Sequence, residues 1–460
     1  MALRVLILAA GKGTRMNSSK PKVVHPILSK PMISYVMDSV ELLKPQKTYV
    51  VVGYKKELIE NVLSDSGKKI EYINQKQQLG TGHAIKISKS AMGKFKGDIL
   101  VLNGDCPGVL PSTLKRLIEK HKKTKSVISL ITSNVINPKG YGRIIRDVKG
   151  NIQKIVEEKD ATTQDRRVNE INSGIYCVKS DYLWHSLDKI RTNNNQKEYY
   201  LPDIIKYAVD KGSKVAVMKL SDADEIMGIN NRQELATLEK IIKQKVIHKL
   251  QNKGVTVIDP ASTYISPDVK IGRDTVINPN TYLYGKTIIG TECEIGPNVF
   301  IDNSSLSSNV KIKFSSYLNN CSVNKNVSVG PFAHLRPEAN IGKDSKIGNF
   351  VEIKKSDIGT GSKVPHLSYI GDATLGNGVN IGAGSITCNY DGVNKHRTVI
   401  EDNVFIGSDS MLVAPVVIGK GSTTAAGSTI TKDVEEYSLA IERNQQKIIK
   451  GWNKRKKKKG

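Results

Sequence analysis

Leu8-Ala9-Ala10-Gly11-Lys12-Gly13-Thr14-Arg15-Met16 holds the first residues whose types and spacing suit chemistry. Gly11 and Gly13 let backbone N–H groups approach an anion, and Arg15 adds a forked cation that matches phosphate oxygens. Lys22, in Pro21-Lys22-Val23, brings a second positive charge. The stretch is not a dinucleotide fingerprint, because Met16 stands where a third glycine belongs. Nor is it a Walker loop, because no Gly-Lys-Ser/Thr closes it. Further on, Asn103-Gly104-Asp105 ends a short apolar run. A carboxylate at the carboxyl end of a strand, facing a polyphosphate, is placed to hold Mg²⁺. Taken alone Asp105 reads as a turn residue; opposite the Arg15 loop the metal role is the better reading. Cys106 beside it reads as structural.

These groups need elements to hold them. Residues 1 to about 230 alternate strand-like runs (Arg4 to Ala10, Tyr49 to Gly53, Ile70 to Ile73, Ile99 to Leu102) with helix-like ones (Pro31 to Leu43, Lys55 to Leu63). That alternation predicts an α/β, Rossmann-like domain over 1–232, its sheet mostly parallel and its ligands beyond the carboxyl ends of the strands. Gln233 to Leu250 has apolar residues at helical spacing and makes 233–253 a rigid connector. From 254 to 460 the period changes. Ile265, Ile271, Ile277, Leu283, Ile289, Ile295 and Ile301 recur every six residues, and the beat returns from Val323 to Ile353 and from Ile400 to Ile430. A period of six fits neither an amphipathic helix nor a simple hairpin sheet. It fits a left-handed parallel β-helix of hexapeptide repeats, in which each hexad forms one flat face and points its aliphatic residue inward. One hexad cannot bury that residue alone, so coils must stack.

The beat breaks in informative places. Two steps shorten between Ile301 and Val323, shorter steps accompany Ser356 to Ala373, and the polar stretch Thr387 to Arg397 is expected to leave the coil as a loop. Polar residues excluded from such a repeat are where chemistry can sit. His366 lies in the second break, one of eight histidines in the chain. A lone histidine is more often structural, so on spacing alone its role stays open.

Taken together the motifs resemble the sugar-nucleotide pyrophosphorylases with a GxGTRM…PK signature. Among these they are most similar to the bacterial bifunctional N-acetylglucosamine-1-phosphate uridyltransferases / glucosamine-1-phosphate N-acetyltransferases. The resemblance rests on QLGTGHA (Gln78 to Ala84), GYGRI (Gly140 to Ile144), IVEEKDA (Ile155 to Ala161), INSGIY (Ile171 to Tyr176), EYYLPD (Glu198 to Asp203) and GINNR (Gly228 to Arg232). In the coils it rests on PFAHLRPEA (Pro331 to Ala339), NFVEIKKS (Asn349 to Ser356), PHLSYIGDA (Pro365 to Ala373) and NYDG (Asn389 to Gly392). It runs from Arg4 to about Trp452.

The resemblance implies a UTP site in which Leu8, Ala9, Ala10 and Gly11 meet the phosphates with Arg15 and Lys22, while Gln75, Gly80 and Thr81 meet the base. Asn103, Gly104 and Asp105 line the nucleotide, Gly140, Glu157 and Asn172 hold the acetylated sugar, and Asp105 with Asn230 binds Mg²⁺. The implied reaction is in-line attack of a sugar 1-phosphate on the α-phosphorus of UTP, with no covalent enzyme intermediate. In the coils it implies His366 as general base, for which an ordinary pKa of about 6.5 is suited. Arg336 and Lys354 would clamp the phosphate of glucosamine 1-phosphate, with Tyr369 and Asn380 completing that site. Ala383, Asn389, Tyr390, Ser408, Ala426 and Arg443 would line acetyl-CoA, Ser408 stabilising the oxyanion and Glu352 orienting the amine or the base. Cys388 could carry the acetyl group covalently, but direct transfer is preferred. The resemblance further implies a cytoplasmic homotrimer. A rival, in which only the nucleotidyltransferase half is active and the coils regulate, is disfavoured by the intact His366, Lys354 and Asn389-Tyr390 set.

Composition sets outer bounds. The 460 residues exceed one ordinary core, so two or three domains are expected. The net charge of +26 is spread along the chain among few aromatic residues, which does not draw a nucleic-acid face. The exception is Lys454 to Lys459, read as a solvated, disordered tail. Val5 to Ala10 is too short to span a bilayer, and five scattered cysteines without a CxxC pair suit a reducing compartment.

Overall fold

The computed structural model describes residues 2–64 and 69–456. It separates into two compact units, Met1–Ile242 and Lys243–Gly460.

The first unit is built on a nine-stranded sheet: β1 Leu3–Leu8, β2 Lys47–Val52, β3 Ile70–Asn74, β4 Asp98–Asn103, β5 Ile128–Asn134, β6 Arg143–Arg146, β7 Ile152–Val156, β8 Glu170–Lys179 and β9 Val215–Leu220. Its spatial order is β9-β5-β8-β4-β1-β2-β3, with β6 pairing β8 and β7. Every neighbour along that path is parallel except β8, which runs antiparallel to both β4 and β5. Strands covered on both faces are apolar without alternation, and Val5–Ile7 and Ile99–Val101 are fully buried. In the β1–β4 register Leu8 stands beside Asn103, so the loop after β1 and the turn at Asp105 share one sheet edge. The expected connector is the helix Arg232–Gln251, and the division between the two units falls inside it.

The second unit is a left-handed parallel β-helix. Its strands form three parallel sheets of 11, 10 and 9 strands, one per face, each coil in register with the next. The expected aliphatic positions point inward: Ile277, Ile295, Val329, Ile347 and Ile406 are all at most 1% exposed on the first face alone. Burying one such side chain is worth about 1.5–3 kcal/mol, so the stack is held mainly by this ladder. The two shortened steps are absorbed at corners, with Leu306, Ile312, Leu318 and Val323 still buried.

One expectation is corrected. Thr387 and Cys388 do not leave the coil; they belong to the strand Ile386–Cys388, and the loop begins at Asn389. Thr387 occupies an inward position at 1% exposure because its hydroxyl is matched, accepting from the Gly371 N–H at 2.8 Å. The tail also differs: Trp452–Lys456 is a short helix, while Lys457, Lys458 and Lys459 lie outside the described residues.

Candidate functional site

In the first unit two cavities open at the carboxyl edge of the sheet. One, of about 330 Å³, is lined by Arg15, Gly140, Glu157, Asn172 and Asn230; the other, of about 410 Å³, by Ala9, Ala10, Gly11, Lys22, Gln75 and Gly80. Leu8, Thr81, Asn103 and Asp105 line both. Gly104 alone among the expected residues lines neither; it is buried beneath, its N–H donating to Leu8 O at 2.9 Å.

Charge is matched across the junction. Lys22 Nζ is ion-paired with Asp105 and lies 3.4 Å from Asn230 Oδ1, which accepts from Arg15 Nη2 at 2.8 Å. Gly13 permits this approach: it has φ of 64°, and a Cβ there would stand 2.6 Å from the Lys22 Cβ. Asn230 is itself pinned, its N–H and Nδ2 both donating to Glu234 Oε2 at 2.7 and 3.2 Å. At the other wall, burial first, then the nearby Asp203, Asp160 and Glu198 carboxylates, push Glu157 up to about 7. Asn172 sits at the irregularity in β8 and donates to the Tyr176 hydroxyl at 2.6 Å. Among the described residues no group of three or more His, Cys, Asp or Glu side chains could hold a metal. The chain's offer at Asp105 and Asn230 is two hard oxygens, which fits an ion that draws most of its shell from water and phosphate.

In the second unit most of the expected residues lie on two faces of the prism and the corner between them. Glu352 and Tyr369 are neighbours in register on the second face, as are Lys354 and Gly371. Asn380 pairs with Lys363 on the first face. Ala383, Ser408 and Ala426 climb the same corner in successive coils: Ala383 O accepts from Asp409 N at 2.7 Å, Ser408 O from Gly427 N at 2.8 Å, and Ala426 O from Arg443 Nη1 at 3.0 Å. His366, exposed, stands lower on that corner, and its Nδ1 lies 2.7 Å from Asn349 Oδ1 in the coil beneath. The oxygen can only accept, so the ring proton sits on Nδ1 and the Nε2 lone pair is left free.

Glu352 is held by side chains of its own face. Its Oε1 accepts from Arg336 Nη1 at 2.7 Å, and its other oxygen lies 3.8 Å from His334. Lys354 lies against Lys395, and that ammonium pushes the Lys395 pKa down. The loop Asn389 to Arg397 is tied shut: His396 N donates to Asn389 O at 2.8 Å, and His396 Nε2 lies 2.7 Å from Asp391 Oδ2. That imidazole, with two backbone N–H donors, holds Asp391 down at about 2. Cys388 is half-buried, and burial pushes its thiol up.

Asn349 and Glu234 are the positioning residues that the sequence reading missed. Glu234 carried a signal: Asn231-x-x-Glu234 is a capping box, and Glu234 N indeed donates to Asn231 Oδ1 at 2.8 Å.

A family model described as nucleotidyl transferase matches residues 4–245, and one described as bacterial transferase hexapeptide (six repeats) matches 268–303 and 397–432. The chain is 49% identical over 442 residues to "Bifunctional protein GlmU" of Carboxydothermus hydrogenoformans, across 96% of this chain and 98% of that protein. It is 48% identical over 455 residues to the protein of the same name from Caldanaerobacter subterraneus subsp. tengcongensis, across 99% and 98%.

Proposed function

The chain belongs to the family of bifunctional N-acetylglucosamine-1-phosphate uridyltransferases and glucosamine-1-phosphate N-acetyltransferases, and from that premise we propose which residues carry each half-reaction. The protein transfers acetyl from acetyl-CoA to glucosamine 1-phosphate, then UMP from UTP to the product, releasing pyrophosphate. The division of labour is residues 1–232 for uridyl transfer, 233–253 as connector and 254–460 for acetyl transfer.

In uridyl transfer, Arg15, Lys22 and the backbone from Leu8 to Gly11 hold the triphosphate. Gln75, Gly80 and Thr81 take the base; Gly140, Glu157 and Asn172 take the sugar. The paired cavities that share Asp105 and Asn103 support this reading, since one nucleotide sugar can lie across both. A sugar-phosphate oxygen attacks the α-phosphorus in line, and Arg15 and Lys22 offset the charge that develops. Asp105 and Asn230 would hold Mg²⁺, which neutralises phosphate charge when bound.

In acetyl transfer, His366 Nε2 takes the proton of the glucosamine amine as its nitrogen attacks the thioester carbonyl; the tetrahedral intermediate then collapses with cleavage of the C–S bond, and the imidazolium returns the proton to the leaving CoA thiolate. Asn349, by holding Nδ1, supports that assignment. Ser408 faces the oxyanion. Arg336, Lys354, Tyr369 and Asn380 hold the sugar phosphate, and Ala383, Asn389, Tyr390, Ala426 and Arg443 hold acetyl-CoA. The raised thiol of Cys388 favours direct transfer over an acetyl-cysteine.

The unit acts as a homotrimer. Its support is the corner that carries His366, where Phe332, Phe350 and Leu367 sit at φ of 52°, 55° and 47° with exposed side chains, Phe350 at 55% and Leu367 at 61%. Bulky residues in that conformation are strained, and exposed aromatic ladders of this kind mark association surfaces. Sedimentation as a monomer at micromolar concentration would contradict the trimer. The place of action is the cytoplasm, in keeping with five free cysteines; among the described residues no helix is long and apolar enough to cross a membrane.

The deciding experiment assays both half-reactions in Asp105→Ala and His366→Ala. Each substitution should abolish one activity and spare the other, a general base being worth about a hundredfold to ten-thousandfold. Loss of both activities, or of neither, would sink the assignment.

A further inference from the structure

Gln75 is 5% exposed and lines the cavity proposed for the base. Its backbone is fixed at the end of β3, Gln75 N donating to Val52 O at 2.7 Å. A primary amide so held can present either its oxygen or its nitrogen to a ligand, and the two ends select opposite base edges. What settles the choice is its other neighbours. Gln75 Nε2 lies 3.4 Å from Gly80 O and 3.0 Å from His83 Nδ1. A backbone carbonyl only accepts, so the nitrogen end belongs there, and His83 Nδ1 accepts from it with its ring proton on Nε2. Among the described residues Oε1 accepts no hydrogen bond, so the carbonyl oxygen is the end left for the ligand.

The His83 ring is itself held. It stacks on Tyr199 with centroids 6.4 Å apart and planes inclined by 29°. Tyr199 is tied on both sides to the same turn, Tyr199 N donating to Leu79 O at 2.9 Å and Gly82 N donating to Tyr199 O at 2.7 Å.

We propose that His83 is a specificity-determining positioning residue: by accepting from Gln75 Nε2 it presents Gln75 Oε1 to the base, and so selects uracil over cytosine. Uracil offers an N3–H donor where cytosine offers an N3 lone pair. A fixed acceptor meets the first and repels the second, and an unmatched buried polar group is what makes hydrogen-bonded sites discriminate. The proposal rests on the reading of Gln75 as a base contact.

The test measures uridyl transfer by the full-length protein with UTP and with CTP, and takes the ratio of the two kcat/KM values. Acetyl transfer on the same preparations reports correct folding. His83→Phe keeps the stack and removes the acceptor; it should lower the UTP/CTP ratio about tenfold. His83→Met is the parallel arm should the phenyl ring prove too large. His83→Asn, which restores an acceptor, should recover most of the ratio. An unchanged ratio in His83→Phe and His83→Met overturns the proposal, as does an Asn variant no better than Phe. Gln75→Ala separates the two layers. If it collapses the ratio while the His83 variants do not, only the positioning role fails; if it leaves the ratio intact, Gln75 is not the base contact at all.

Discussion

The cleft of the α/β unit and the corner of the prism handle phosphate with different resources. In the cleft each cation has a partner oxygen: Lys22 an ion pair with Asp105, Arg15 a hydrogen bond to Asn230. The walls are loops from several strands, folded around cavities. On the prism the walls are flat sheets, and His366 and Ser408 stand exposed on an edge. There Lys354 and Lys395 crowd one another and make a local positive field. A cleft can tune a group through burial, as it does Glu157. The exposed corner of the prism gains instead in placement: each residue sits one rung above a partner in the coil below, as His366 does above Asn349.

The sharpest way to break this contrast is Gly348→Ala. A Cβ at Gly348 would stand 1.7 Å from Pro365 O, so the Pro365–His366 corner must move. Acetyl transfer should fall about a hundredfold, as displacement of a reacting group does, with uridyl transfer unchanged. Acetyl transfer retained within about threefold would mean that the corner yields and that placement is not its asset. In the cleft the counterpart is Glu234→Ala, which frees Asn230 from both its anchors. Uridyl kcat/KM should drop about tenfold and half-saturation by Mg²⁺ should rise; unchanged metal dependence would remove Asn230 from the metal site.

The burial effect is tested by pH. The Glu157 carboxyl, raised to about 7, binds a proton more readily folded than unfolded. Its contribution to stability is therefore full below the unfolded value of about 4.3 and is lost as pH rises through 7. Denaturant titrations of the wild-type chain should show that fall, and Glu157→Gln should flatten it. The smallest effect belongs to Cys388→Ala, which should leave acetyl transfer within about twofold, since a thiol whose pKa is raised is less often the thiolate nucleophile; a dead enzyme would restore the acetyl-cysteine route.

The inward aliphatic ladder was legible because its period is mechanical, and Ile353 or Ile406 could be placed by counting. Thr387 was not, because its polarity imitates a loop until Gly371 is seen to satisfy its hydroxyl. Asn349 and His366 are 17 residues apart, one shortened coil, so their meeting could be found only once the coil length was known. The antiparallel β8 was hidden for a similar reason: a strand buried between β4 and β5 is apolar whichever way it runs. The partner of Glu352 was not legible either, since its place in the sequence said nothing about which cation its carboxylate would face.

The in-register stacking of coils also sets how the chain can be made. Every strand of the prism pairs with one a single turn earlier, so the structure can wind up as it leaves the ribosome, each new turn seated on the last. The sheet of the first unit has no such freedom. β1 must wait for β4, and β5 for β9, before its central ladders can close. By contact order the all-β half is the quick folder of the pair and the mixed half the slow one, the reverse of what their secondary structure would suggest.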